Sequence, residues 1–471
     1  MALGKTIVMK FGGTSVEDAR AFERVAAIVQ AQEMLRPIVV VSAMSGMTDA
    51  LLASVGSAKR GETDAALRRL EEPFARHLRV ASILHDKFRV ELKELLDRAY
   101  VEIADRLKLL TYELMGPHLQ DLIASFGEDL SATLLTMVLR TRGVHATYVD
   151  ARRCIITDEA AGCASPLLKR TEQETRATLV PVVQAGSVPV LGGFIGATVK
   201  GVTTTLGRGG SDYTASLIAA AMRAREIQIW TDVTGVLTAD PRVVRTARTV
   251  TRLSYAEAAE LAYFGAKVLH PKTIQPAIKH DIPLRICNSR APEEFGTLIC
   301  TAPEGMPRTV KAIAHKSGVT IVNVTSGRFL GAYGFLRRIF EIFDHHQTVV
   351  DVVTTSEVSL SLSLDDVSAL PDIIKELEEI GSVEVRRNLA VVCVVGEGLC
   401  GAPNIPAQVF NSIRDIPVMM ISQGSSSSNL TFVVNQDHVK SVITRLHETF
   451  FETWIDQLPE IASLDLEAIT Q

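Results

Sequence analysis

Gly207-Arg208-Gly209-Gly210-Ser211-Asp212 stands between Thr203-Thr-Thr-Leu206 and an apolar, alanine-rich run from Ala215 to Ala221 that reads as a helix. Glycines this dense let the backbone take positive φ and come close to a ligand. The N–H groups that follow, at the start of the helix, can receive an anion. Arg208 suits a carboxylate or phosphate in bidentate geometry, and Asp212 can orient a cation. A plain strand-to-helix turn accounts for the glycines, but it has no use for the arginine or the aspartate.

Working outward, the chain has 471 residues and a net charge of −5. That length implies two or three domains, and that charge argues against a nucleic-acid surface. Six cysteines show no CxxC pairing and no metal-ligand spacing with histidine, so they read as buried or free thiols in a reducing compartment. Met1 to Lys10 has no signal-peptide pattern, and no apolar stretch reads as membrane-spanning. The expectation is a cytoplasmic protein with neither a membrane nor a nucleic-acid partner.

Thr6-Ile-Val-Met-Lys10 has strand character, Phe11-Gly12-Gly13-Thr14-Ser15 breaks it, and a helix follows with Phe22, Val25, Ala26 and Val29 at helical spacing. Ser15 is placed to cap that helix, with Asp18 three residues on. This strand, glycine turn and helix aim N–H groups and the Lys10 ammonium at one point, as an anion site requires. The turn is neither a Walker A loop nor a GxGxxG fingerprint. Pro37-Ile-Val-Val-Val41 is a second buried strand that exits into the small polar loop Ser42 to Thr48. Asp49 to about Ser125 reads as a helical bundle, and Leu130 to Arg140 as a helix with Glu128 just ahead of it. Glu128 could hold an ammonium or serve as a first-turn acid on the helix dipole. Val188 to Leu191 exits into Gly192-Gly193-Phe194, and Ile227-Gln-Ile-Trp230 into Thr231-Asp232. Strands alternating with helices up to about residue 300 imply a doubly wound sheet, its strand ends carrying Lys10, Ser42, Phe194 and Asp232 to one crevice.

Thr301 to Pro307 resembles a linker, and beyond it the pattern changes. A helix from Gly334 to Phe343, a strand at Val349 to Val353 and an alternating strand at Val358 to Leu364 are followed by a second helix, strand, turn and strand at Gln408 to Val434. This is an internal repeat of small α/β modules. Pro371 to Ile380 and His438 to Phe451 supply each module's later helix. Modules of this kind stabilise a dimer or bind a small effector.

Taken together, Lys10-Phe-Gly-Gly-Thr-Ser15, Thr203 to Asp212, Trp230-Thr-Asp232, Phe264-Gly-Ala-Lys-Val-Leu-His-Pro271 and Thr354-Thr-Ser-Glu-Val358 strongly resemble the motifs of aspartate kinases, in the amino acid kinase family, over nearly the whole chain. The resemblance implies an amino-acid-kinase α/β sandwich over 1–300, a linker over 301–310, and two ferredoxin-like ACT modules over 311–388 and 389–471. The chain stops near residue 471, so a monofunctional kinase is expected, without the homoserine dehydrogenase half of bifunctional relatives. The implied reaction is transfer from ATP, with Mg²⁺, to the β-carboxylate of L-aspartate, giving 4-phospho-L-aspartate, the first step toward lysine, threonine and methionine. By resemblance Lys10 is catalytic and Asp212 orients it. Gly12, Gly13, Gly209 and Gly210 face the phosphates. Ser42, Thr48, Glu128, Phe194 and Arg208 hold aspartate, Arg208 on the α-carboxylate and Glu128 on the α-ammonium. Thr231, Asp232, Arg242 and Lys267 match nucleotide-side positions. No protein metal site is implied. Phe329, Gly334, Phe335, Leu336, Val350, Asp351, Ser356 and Glu357 match effector segments of lysine-inhibited relatives. Ala332 and Tyr333 depart from some of these, so lysine is the first choice of effector and threonine, or both together, the second. A homodimer through the ACT modules is expected.

Overall fold

The computed structural model describes residues 6–110, 118–264, 271–301, 309–327, 334–424 and 428–452. Lys267, Phe329, Ala332, Tyr333 and most of the linker lie outside them. Among the described residues, 6–236, 251–255 and 271–301 form one compact unit, and 237–250, 256–264 and 309–452 form another. Two segments that the sequence groups with the first domain, 237–250 and 256–264, therefore pack with the second unit.

The first unit is built from strands Ile7–Phe11 (β1), Pro37–Val41 (β2), Ala146–Tyr148 (β3), Ile156–Thr157 (β4), Val188–Gly192 (β5), Ile195–Thr198 (β6), Thr203–Thr205 (β7), Glu226–Thr231 (β8), Arg252–Ser254 (β9), Leu284–Asn288 (β10) and Thr297–Cys300 (β11). An eight-stranded sheet runs in the order β3-β5-β2-β1-β8-β10-β11-β9, and β4, β6 and β7 form a small second sheet. β1 lies at its centre, parallel to β2 and β8, with Lys10 opposite Val40 and Ile229. β1, apolar but for Lys10, and the wholly apolar β2 are buried at every position, as expected of parallel strands covered on both faces. The helices of this unit are Ala19–Ala31 (α1), Met47–Lys59 (α2), Thr63–Arg79 (α3), Asp86–Leu110 (α4), His118–Thr141 (α5), Leu168–Gln184 (α6), Gly210–Met222 (α7) and Pro271–Lys279 (α9), whereas Tyr255–Tyr263 (α8) belongs, past its first residue, to the second unit.

Three local expectations are corrected. Asp18, not Ser15, caps α1, its side chain accepting from the Ala21 N–H at 2.8 Å. Ser15 sits a turn earlier and bonds the Ser289 hydroxyl at 2.9 Å. The helix expected from Leu130 begins at His118, so Glu128 lies in mid-helix, away from the first turn. α5 is also long and apolar enough to cross a membrane, but 78% of its most apolar window is buried inside the structure.

The second unit contains Ala312–Thr325 (β12), Val353–Thr355 (β13), Ser359–Leu364 (β14), Ser382–Val395 (β15), Met420–Ser422 (β16) and Asn429–Asn435 (β17). Its helices are Phe335–His345 (α10), Leu370–Glu378 (α11), Asn404–Ser412 (α12) and Val439–His447 (α13). The expected repeat is present, and its two copies share one six-stranded sheet, β13-β14-β12-β15-β17-β16. Order is symmetric about the antiparallel β12–β15 pair, two strands that the sequence reading does not pick out. Each module has its own core: Ile339, Phe343, Leu360 and Leu362 in the first, and Val392, Val394, Phe432 and Val442 in the second. Ala239 and Val244 join the latter cluster, which explains why 237–250 belongs there. Phe432 is 1% exposed, so Phe432→Ala should destabilise the second unit by about 3–5 kcal/mol in a denaturant titration. A change below ~1 kcal/mol would place the side chain outside the core.

Candidate functional site

The loops leaving the C-terminal ends of β1, β2, β5, β8 and β10 gather on one edge of the large sheet. They are tied to one another by main-chain bonds. The Ser42 N–H donates to the Phe11 carbonyl at 3.0 Å, Gly193 to Val41 at 2.9 Å, Gly12 to Trp230 at 3.0 Å and Ser289 to Thr231 at 2.8 Å. Such an edge is where parallel α/β sheets place ligands.

Lys10 is at the centre of that edge. It is the penultimate residue of a fully buried strand and is itself 9% exposed, so its ammonium requires a partner. Asp212, in the first turn of α7, supplies it at 2.7 Å. The chain reaches α7 through Gly209, whose φ of +74° is open to glycine at little cost. Gly193 allows the close approach of the β5 exit to α7, because a Cβ there would lie 2.6 Å from that of Ser211. Phe194, the next residue, holds a φ of +66°, a region that side chains rarely adopt. Its N–H donates to the Thr214 hydroxyl at 3.1 Å, and its carbonyl accepts from Leu206 at 2.9 Å. Strain pinned this way marks functional sites.

Glu128 is 4% exposed. Burial pushes its carboxyl up to about 8, against a backbone bond at Ala43 that opposes the rise. Its Oε2 has no hydrogen-bond partner among the described residues. A buried acid with an orphaned oxygen is poised to receive a cation. Arg208, by contrast, is exposed in the turn before α7, where it can reach for an anionic ligand.

The remaining candidates divide by unit. Gly13 opens a short 3-10 turn after β1. Gly12, expected as a phosphate donor, has its N–H engaged by the Trp230 carbonyl, and Gly210 similarly donates to Gly207 at 3.0 Å. Thr48 is in the first turn of α2. Thr231 ends β8 and donates to the exposed Asp232 at 3.1 Å. Arg242 belongs to the second unit, exposed and paired with Asp240 at 2.7 Å. In the first ACT module, Gly334 precedes α10 with a φ of +83°, Phe335 is buried and Leu336 exposed. Val350 and Asp351 lead into β13, and Ser356 and Glu357 are exposed in the β13–β14 turn, where the Ser356 and Ser359 hydroxyls lie 2.7 Å apart. The sequence reading missed Ser289, a strand-exit residue like Ser42, and Arg76, whose guanidinium binds the Ser45 carbonyl in the loop beside Lys10's strand.

A buried lysine on a central strand, an aspartate at a helix start and glycine-rich strand exits define a site for assembling anions, in a fold of the amino acid kinase type. Residues 5–288 match the amino acid kinase family, and residues 392–450 match an ACT domain. The chain is 38% identical to the lysine-sensitive aspartokinase 3 of Escherichia coli, over 96% of this chain and 100% of that one. The crystal structure of E. coli aspartokinase III with aspartate and ADP (R-state) superposes with a TM-score of 0.80 at 37% identity, covering 95% of this chain and 100% of that one. The same enzyme with lysine and aspartate (T-state) gives a TM-score of 0.79 at 37% identity and the same coverage. The chain belongs to the amino acid kinase family, among the aspartokinases.

Glu128 also makes a prediction independent of ligand. Burial pushes its carboxyl from the ordinary value of about 4.5 up to about 8, so the native state binds the proton more tightly than the unfolded state. Its contribution to stability is full below about 4.5 and is lost as pH rises through about 8. Glu128→Gln should flatten the fall in Tm across that window. An unchanged slope would show that Glu128 titrates normally.

Proposed function

We propose that this chain phosphorylates the β-carboxylate of L-aspartate with ATP, giving 4-phospho-L-aspartate and ADP, and that an amino acid bound to the ACT modules inhibits it. The observation that carries the reading is the Lys10–Asp212 ion pair at the sheet's ligand edge. The nucleophile is a carboxylate already ionised at neutral pH, so no general base is needed. The difficulty is to bring two anions together and to stabilise the charge on the phosphoryl in transit. Lys10 meets it, held in place by Asp212, with the Gly13 N–H and the N-terminus of α7 as further donors. Because the Gly12 and Gly210 amides are engaged in backbone bonds, those glycines serve by leaving room for the phosphates.

Glu128 takes the α-ammonium of aspartate and Arg208 its α-carboxylate, with Ser42, Thr48 and Phe194 lining the pocket. Thr231 and Asp232 lie on the nucleotide side, where Lys267 is assigned by its motif. Arg242, matched by the same resemblance, is engaged by Asp240 in the second unit. Among the described residues no three metal-ligating side chains converge near Lys10. Mg²⁺ fits there as an ion carried by the nucleotide's phosphates with at most one or two protein carboxylates. When bound it neutralises phosphate charge.

Lysine is the effector that the E. coli relative's T-state complex favours, with threonine the alternative. Asp351 and Glu357 would hold the ammonium groups. Pairing of two copies through the first ACT module is supported by Leu336, Phe340, Val349 and Val358, which are all exposed there.

The test is turnover with the acyl phosphate trapped by hydroxylamine. Hydroxamate should form with aspartate and ATP, and should fall when lysine is added. Hydroxamate with glutamate in place of aspartate would overturn the substrate assignment, and no lysine effect would overturn the effector assignment.

A further inference from the structure

The second unit contains a cavity of about 270 Å³. This is just under the ~300 Å³ at which ordinary small-molecule sites begin, so it suits the end of one amino acid and excludes a nucleotide. Two carboxylates, Glu260 and Asp351, line it together with Tyr263, Ser422, Asn429 and Thr431. The Asp351 side chain is only 8% exposed. It is fixed at the sheet edge by its own N–H, which donates to the Ser363 carbonyl at 3.0 Å.

That carboxylate already holds a cation. Lys316, on β12, places its Nζ 3.4 Å from Asp351 Oδ2, and the same ammonium also pairs with Asp365. It sits 5.5 Å from the centre of the Tyr263 ring, and the Tyr263 hydroxyl donates to the other oxygen of Asp351 at 2.5 Å. One ammonium is therefore shared among Asp351, Asp365 and an aromatic face, while Glu260 adds a further carboxylate to the cavity.

We propose that this cavity takes the side-chain ammonium of the effector amino acid, and that Lys316 is an internal stand-in that the effector displaces from Asp351. This rests on the reading of Asp351 as an effector residue. The exchange strands no charge: the incoming ammonium takes Asp351, and Lys316 keeps Asp365. It requires a ligand with an ammonium on its side chain, because a neutral side chain cannot replace the cation that leaves. Lys316 thus sets both the selectivity of the site and the concentration at which it fills. Tyr263 holds the other oxygen of the same carboxylate, so the exchange takes place at the oxygen that Lys316 leaves. Tyr263 is the last residue of α8, so occupancy of Asp351 is felt at the end of that helix.

The test is calorimetric titration of the full chain with L-lysine, comparing wild type, Lys316→Met and Lys316→Arg, with Lys316→Gln in reserve should the methionine variant unfold. Removing the stand-in should lower the Kd for lysine about tenfold, and Lys316→Arg should stay near wild type. Asp351→Asn should lose lysine binding whether or not Lys316 is present, so that the gain depends on the pair. Equal Kd values for wild type and Lys316→Met would overturn the proposal while leaving lysine as the effector. Threonine binding strengthened as much as lysine binding would also overturn it, since threonine has no second ammonium. No lysine binding in any of these proteins would remove the effector reading and the proposal together.

Discussion

A lysine ammonium near the end of a fully buried central strand is the constraint from which the first unit follows. Lys10 lies between β2 and β8 with apolar neighbours in register on both sides, and a charge there is tolerated only with a close counter-ion. Asp212 must therefore arrive within bonding distance, which fixes where α7 begins. The glycines that precede α7 and the bare Gly193 opposite Ser211 make that approach sterically possible. The result is an ammonium held in position but still at the mouth of the sheet, where a phosphate can share it.

The same edge holds other unfavourable features that serve ligand binding. Phe194 is kept in a left-handed conformation by bonds on both of its backbone groups. Glu128 is an acid buried in mid-helix with an oxygen unpartnered among the described residues. Each costs stability in the free protein, and the unpartnered Glu128 oxygen is a cost that an ammonium would offset. In the second unit, Asp351 presents the contrasting solution, a carboxylate kept satisfied by an internal lysine.

Much of this was legible in the sequence, because the decisive signals are local. Strand, glycine break and helix are readable at Lys10 to Val29, and the pairing of Lys10 with Asp212 was implied by the resemblance to aspartate kinases. The module repeat was readable from alternation in Leu360–Leu364 and Leu430–Val434. What escaped were features set by distant partners. Ser15 looks like a cap but is recruited by Ser289, far along the chain. The start of α5 was hidden because Phe126-Gly127 reads as a break ahead of Leu130, whereas Gly127 lies inside the helix. β12 and β15 mix polar and apolar positions irregularly and are defined by pairing with each other. The contact of Lys316 with Asp351 joins two strands and has no signature in either. Arg242 matches a motif, yet it lies in the second unit paired with Asp240, since spacing in sequence does not say which unit a segment will join.

The central claim is that Asp212 acts through Lys10 on the phosphoryl in transit and leaves aspartate binding largely unaffected. Steady-state kinetics of Asp212→Asn test it most directly. The account predicts a fall in kcat on the order of 100-fold, the scale seen when one preorganised electrostatic contact is lost, with the KM for aspartate changed only a few-fold. A near-normal kcat with a large rise in that KM would contradict it, and would make the ion pair part of the aspartate-binding pocket instead.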